Sequence, residues 1–75
     1  MYKKREIAKE IRMIEEEIRG LEIKRSRSQA ALIEALISKQ EPDETDVAYF
    51  RAFTAQIELK REQLQKRIKS LEDII

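Results

Sequence analysis

The sequence predicts an all-α protein, an antiparallel two-helix hairpin of coiled-coil type, and three observations predict it. Apolar residues recur at three- and four-residue spacing in one row, Ile7, Ile11, Ile14, Ile18, Leu21, then Leu32 and Leu36. A second row of the same kind runs Phe50, Ile57, Leu64, Ile68, Leu71, Ile75. Such spacing returns to one side of a helix at every turn, so each row is the apolar stripe of a helix. Between them lies S-K-Q-E-P-D-E-T-D, an acidic stretch around the only proline. A proline there interrupts a continuous rod, because it lacks an N–H and clashes with the preceding turn.

The first helix is expected over about residues 2–38, about 55 Å at about 1.5 Å per residue. Gly20 falls inside it and costs about 1 kcal/mol relative to Ala. It is read as a tolerated weak spot rather than a point of close packing. The loop is expected at about residues 39–43. Pro42 drives Glu41 out of the α region. Asp43 is the expected N-cap, its carboxylate accepting from the backbone N–H of Thr45 or Asp46. Glu44 and Asp46 then occupy the first turn, at the positive end of the helix dipole. The second helix is expected over about residues 44–75. It meets no Gly, Asn or Pro stop, as in a trimmed chain or a last turn that frays. With the turn centred near Asp43, Leu36 faces Phe50, Ile18 faces Ile68 and Ile11 faces Ile75. Residues 1–75 thus form a single hairpin domain.

The chain has 75 residues, 41% of them charged and 41% hydrophobic, so it holds one small domain. Cysteine and histidine are both absent. That removes disulfides, thiolate metal sites, the cysteine nucleophile and the commonest general base. The formal net charge is +1, so no bulk field drives the chain onto nucleic acid or membrane. The basic start M-Y-K-K-R-E is not followed by an apolar run of signal-peptide length. No segment is apolar for long enough to span a bilayer. The expectation is a cytoplasmic protein. Glu15, Glu16 and Glu17 point around a helix rather than into a pocket, and no nucleophile–base pair or Gly-rich phosphate loop exists. Neither catalysis nor a cofactor, metal or small-molecule substrate is expected.

Three constellations remain. The apolar seam breaks at one height, where its spacing lands on Arg25 in the first helix and Arg61 in the second. Paired with Glu22, Glu58 or Glu62, they would form a polar layer that fixes register; the alternative is an anion contact. Around them Lys24, Arg25, Arg27, Lys60 and Arg61 form a basic belt, the candidate nucleic-acid contact. Near the loop, Ala30, Ile33 and Ile37, preceded by Ile23, lie off the seam, as do Tyr49, Ala52 and Phe53. A helix that is apolar on two faces needs two neighbours. Ala30, Ile33, Ile37, Tyr49 and Phe53 are therefore the candidate interface. Its occupant is a second copy, completing a four-helix bundle, or a protein partner.

The stretches A-Y-F-R-A-F and Q-I-E-L-K-R-E-Q-L-Q-K-R, together under half the chain, resemble two groups of small coiled-coil proteins. These are the hairpin co-chaperones of type III secretion and the stalk proteins of flagellar export. The resemblance implies an antiparallel coiled coil and nothing finer. The functional expectation is a non-enzymatic protein–protein interaction module, an adaptor, chaperone-like or inhibitory small protein. A small nucleic-acid-binding hairpin is the alternative.

Overall fold

The structure, a computed structural model, describes residues 2–75, and of Tyr2 the backbone alone. Two helices make up the architecture: α1, Tyr2–Ile37, and α2, Glu44–Ile74. They fold back on each other into a body of 56 × 16 × 14 Å, the length of one helix and the breadth of two. The expected start of α2 holds, and α1 is helical from the first described residue, Tyr2. At their ends, α1 stops one residue short of Ser38, and Ile75 caps α2 rather than continuing it.

The end of α1 is built without glycine. The Lys39 N–H donates to the Leu36 carbonyl at 3.2 Å, and the Gln40 N–H donates to the Ala35 carbonyl at 2.9 Å. These two bonds, reaching back three and five residues, make a Schellman cap. The cap puts Lys39 in the left-handed region, at φ 56°. At the start of α2 the Asp43 carboxylate accepts from the Thr45 N–H at 2.9 Å, as the sequence predicted, with Asp43 itself extended.

The seam of α1 runs Ile7, Ile11, Ile14, Ile18, Leu21, Arg25, Ser28, Leu32, Ala35, all half-buried or buried. Leu36 does not belong to it. The strict alternation of three and four lands on Ala35 after Leu32, and Leu36 turns outward at 68% exposure. The seam of α2 centres on the seven-residue series Phe50, Ile57, Leu64, Leu71, flanked by half-buried Phe53, Thr54 and Lys60. Ile68 and Ile75, expected in that row, lie four residues off it and are exposed. Among the described residues, Ile57 is the one side chain with almost no exposure, at 1%. The seam hydroxyls find acceptors in their own helix: Ser28 Oγ donates to the Lys24 carbonyl at 3.5 Å and Thr54 Oγ1 to the Phe50 carbonyl at 2.9 Å.

The register also differs from the expected one. Glu10 pairs with Arg67 at 2.9 Å, Glu17 with Lys60, and Glu22 with Arg61 at 3.9 Å. A turn centred on Asp43 would have set residue 17 beside residue 69 and Glu22 beside Leu64. The cause is the asymmetric connection. Because α1 ends at Ile37 and α2 begins at Glu44, the midpoint lies between Gln40 and Glu41, and α2 shifts along α1 accordingly.

Candidate interaction surface

Two helices packed along one seam bury little. Among the described residues, Ile18 and Ile57 are the buried hydrophobic side chains, and Ser28 is the buried polar one. The exposed large apolar side chains include Ile23, Ile33, Ile37, Tyr49 and Leu59. The surface is where the unspent hydrophobic area lies.

The candidate interface residues fall on two helices and do not merge into one patch. On α1, Ile23 stands five residues from Ile18 and five from Ser28, hence about 140° round the helix from each. Ala30 and Ile37 follow at seven-residue intervals, so the three lie on the side of α1 facing away from α2. Ile33 joins them, and all four are exposed, Ile37 at 73%. A shallow groove follows this face, lined by Arg19, Glu22, Ile23, Ser26, Arg27 and Ala30, with no residue from α2. On α2, Tyr49 and Phe53 stack at 6.0 Å between ring centroids and 14° between planes. Phe53 is half-buried against the hairpin and Tyr49 is exposed. Ala52 is exposed beside them.

The expected two-arginine layer does not form. Arg25 occupies a seam position and is half-buried, whereas Arg61 is turned out, its side chain 59% exposed, and reaches Glu22. Lys60 takes the place near the seam, its long stem covering apolar surface while its ammonium pairs with Glu17. No buried side-chain nitrogen or oxygen lacks a partner among the described residues. The Arg25 guanidinium therefore reaches solvent, and its stem lines the seam. The basic belt is correspondingly divided: Lys60 and Arg61 are engaged by glutamates, while Lys24 and Arg27 are exposed on α1.

Met13 and Leu59 escape the sequence reading. Leu59 stands between Glu58 and Lys60, Met13 between Arg12 and the seam residue Ile14, and neither has a periodic companion to mark it. Both are exposed, and Met13 borders a groove between the helices with Glu10, Ile14, Glu17, Gln63 and Arg67. Among the described residues, no cluster of carboxylates is arranged to hold a metal ion, and no helix is long and apolar enough to cross a membrane. In comparisons with known proteins the chain matches no family model, no curated protein and no solved structure.

Proposed function

We propose that this hairpin is a non-catalytic protein–protein interaction module, which completes its hydrophobic core against a second copy of itself or another protein. One observation carries the reading: among the described residues, a fold with Ile18 and Ile57 as its buried hydrophobic residues leaves ten large apolar side chains exposed. Burying each of them contributes about 1.5–3 kcal/mol. A two-helix domain of this length has too small a core to be comfortable alone. Dimerisation into a four-helix bundle is the simplest completion. The division of the basic belt weighs against the nucleic-acid alternative, since two of its five cations already face glutamates.

Sedimentation equilibrium at micromolar concentration tests self-association, with a monomer at 8.9 kDa as the reference. Affinity capture from the source cell, with and without nuclease, tests the choice of partner class. Nuclease-resistant recovery of one protein, lost in Tyr49→Asp or Ile33→Asp and kept in Arg27→Glu, agrees with the proposal. Both apolar positions are exposed, so these variants leave the seam intact. A monomer that retains only nucleic acid, and loses it in Arg27→Glu, overturns the proposal.

A further inference from the structure

The outward side of α1 carries a second row that alternates four- and three-residue steps over most of the helix. Its first half is basic: Arg5, Lys9, Arg12 and Arg19, with Glu16 the one acid among them. Its second half is apolar or small: Ile23, Ser26, Ala30, Ile33 and Ile37. Every one of these positions is exposed. From Arg5 to Ile37 the row is about 48 Å long at about 1.5 Å per residue.

The ion pairs within the hairpin occupy acids that lie nearer α2. In all three, α1 supplies the glutamate and α2 the cation. Three of the seven acids of α1, Glu10, Glu17 and Glu22, are thus drawn toward α2, while Arg5, Arg12 and Arg19 are left exposed on the far side and Arg25 lines the seam. Among the described residues, none of Arg5, Lys9, Arg12 and Arg19 forms an ion pair. A row that is half cationic and half aliphatic is poorly suited to a nucleic-acid backbone, which would leave Ile33 and Ile37 in water. It suits a helix whose own row is apolar at one end and acidic at the other.

We propose that the outer row of α1 docks an acidic amphipathic helix of a partner protein. The aliphatic end of that helix lies on Ile23, Ala30, Ile33 and Ile37 near the loop. Its acidic end runs along Arg19, Arg12 and Lys9 toward the open end. This rests on the reading of the chain as a protein-binding module and names the chemistry of its partner. The groove at Ile23, Ser26 and Ala30 is where small side chains let the partner's backbone approach most closely.

The test uses the full chain and a labelled synthetic helical peptide of about 28 residues. One half of the peptide's row carries Leu and Ala at alternating four- and three-residue steps, and the other half carries Glu at the same steps. A control peptide has the same composition with the glutamates interspersed among the leucines. Fluorescence anisotropy should show the segmented peptide bound at least several-fold more tightly than the control. Arg12→Glu with Arg19→Glu should weaken it about tenfold, and raised salt should weaken it too. Ile33→Asp should weaken it at least tenfold. Circular dichroism checks that each variant keeps the hairpin, which these outward positions do not hold together. Equal binding of the two peptides, or no binding, overturns the inference. So does tighter binding of a duplex RNA probe lost with Arg12 and Arg19, or a dimer in sedimentation that Ile33→Asp dissociates. If the peptide fails while affinity capture still recovers a protein that depends on Tyr49, the docking strip is wrong and the interaction module stands.

Discussion

Glu17 and Lys60 are ion-paired across the two helices, and Glu10 and Arg67 repeat the arrangement seven residues further toward the open end. The repeat on both helices makes the pairs a ladder along one flank of the seam. Both members of the Glu17–Lys60 pair are partly exposed, so water screens them and each rung is worth about 0.5 kcal/mol. Reversing one charge replaces an attraction by a repulsion. Glu17→Lys should lower the thermal midpoint by a few degrees, given about 4–8 °C per kcal/mol for a domain of this size. Glu17→Lys with Lys60→Glu should recover most of the loss. A double variant no better than the single one would mean that this register is not the one in solution.

The ladder also shows how far sequence reasoning carries. Hairpin topology, the Asp43 cap and the start of α2 follow from local chemistry, because Pro42 and the acidic first turn act within a few residues. Register depends on the middle of the connection, between Gln40 and Glu41, and not on Asp43, which caps α2 at one end of it. The Schellman cap uses Lys39, not glycine, so the usual stop signal is missing from the sequence. A few residues' error in the turn centre then moved every cross-helix pair, while a four-residue step after Ile57, where the structure takes a three-residue one, put Arg61 in the seam instead of Lys60.

Lys39→Gly should therefore stabilise the hairpin. A non-glycine residue in the left-handed region costs about 1–2 kcal/mol. Glycine relieves that strain but gives up about 0.5–1 kcal/mol in backbone entropy. A net gain of about 0.5 kcal/mol is expected, visible as a higher urea midpoint with an unchanged slope. The comparison must be made at one protein concentration, since any self-association shifts the midpoint by mass action.

Gly20→Ala should stabilise it further. Gly20 is exposed, and a methyl group at its Cβ position would meet nothing within 4 Å. The gain expected from helix propensity alone is about 1 kcal/mol. A thermal melt followed at the helical dichroism band measures it. A loss of stability would show that something in solution packs against this side of α1.

Leu36→Ala and Leu32→Ala separate two readings of the seam. A three-residue step after Leu32 selects Ala35, and a four-residue step selects Leu36. The sequence alone favours Leu36, because leucine is the better core residue and alanine carries little signal. The structure half-buries Ala35 and leaves Leu36 out. Leu36→Ala should change stability by no more than about 0.5 kcal/mol, as exposed substitutions do. Leu32→Ala should cost about 2 kcal/mol, the low end for a leucine truncation, because Leu32 is only half-buried. Equal costs would restore Leu36 to the seam.

The candidate interface was legible as composition but not as geometry. Ala30, Ile33 and Ile37 could be recognised as surplus to the seam, as could Tyr49, whereas Phe53, grouped with them, is half-buried beside the seam. Their separation onto the far side of α1 and onto α2 follows from the register. The seven-residue spacing of Ile23, Ala30 and Ile37 was visible in the sequence. The extension of that face at four- and three-residue steps through Arg19, Glu16, Arg12, Lys9 and Arg5 was less so, because charged residues on a helix are the ordinary content of a solvated face. The row became distinct once the ion pairs placed Glu10, Glu17 and Glu22 of α1 toward α2 and left Arg5, Lys9, Arg12 and Arg19 without one among the described residues.

Ile57→Ala is the substitution that should matter most for folding. Ile57 is 1% exposed, and no other side chain among the described residues is fully buried. Truncating a buried isoleucine costs about 2–5 kcal/mol, the larger value where neighbours cannot close the gap. Two helices facing each other across a single seam have no third element to move in. They can draw together at that height only by bending. A small domain has only a few kcal/mol of net stability to lose, so the variant should be largely unfolded as a monomer at 25 °C. Circular dichroism at low micromolar concentration should show most of the helical signal gone. Helical signal regained as concentration rises would indicate that association supplies the missing burial. A fully helical variant at the lowest concentration would mean that the seam around Ile57 is not what holds the hairpin closed.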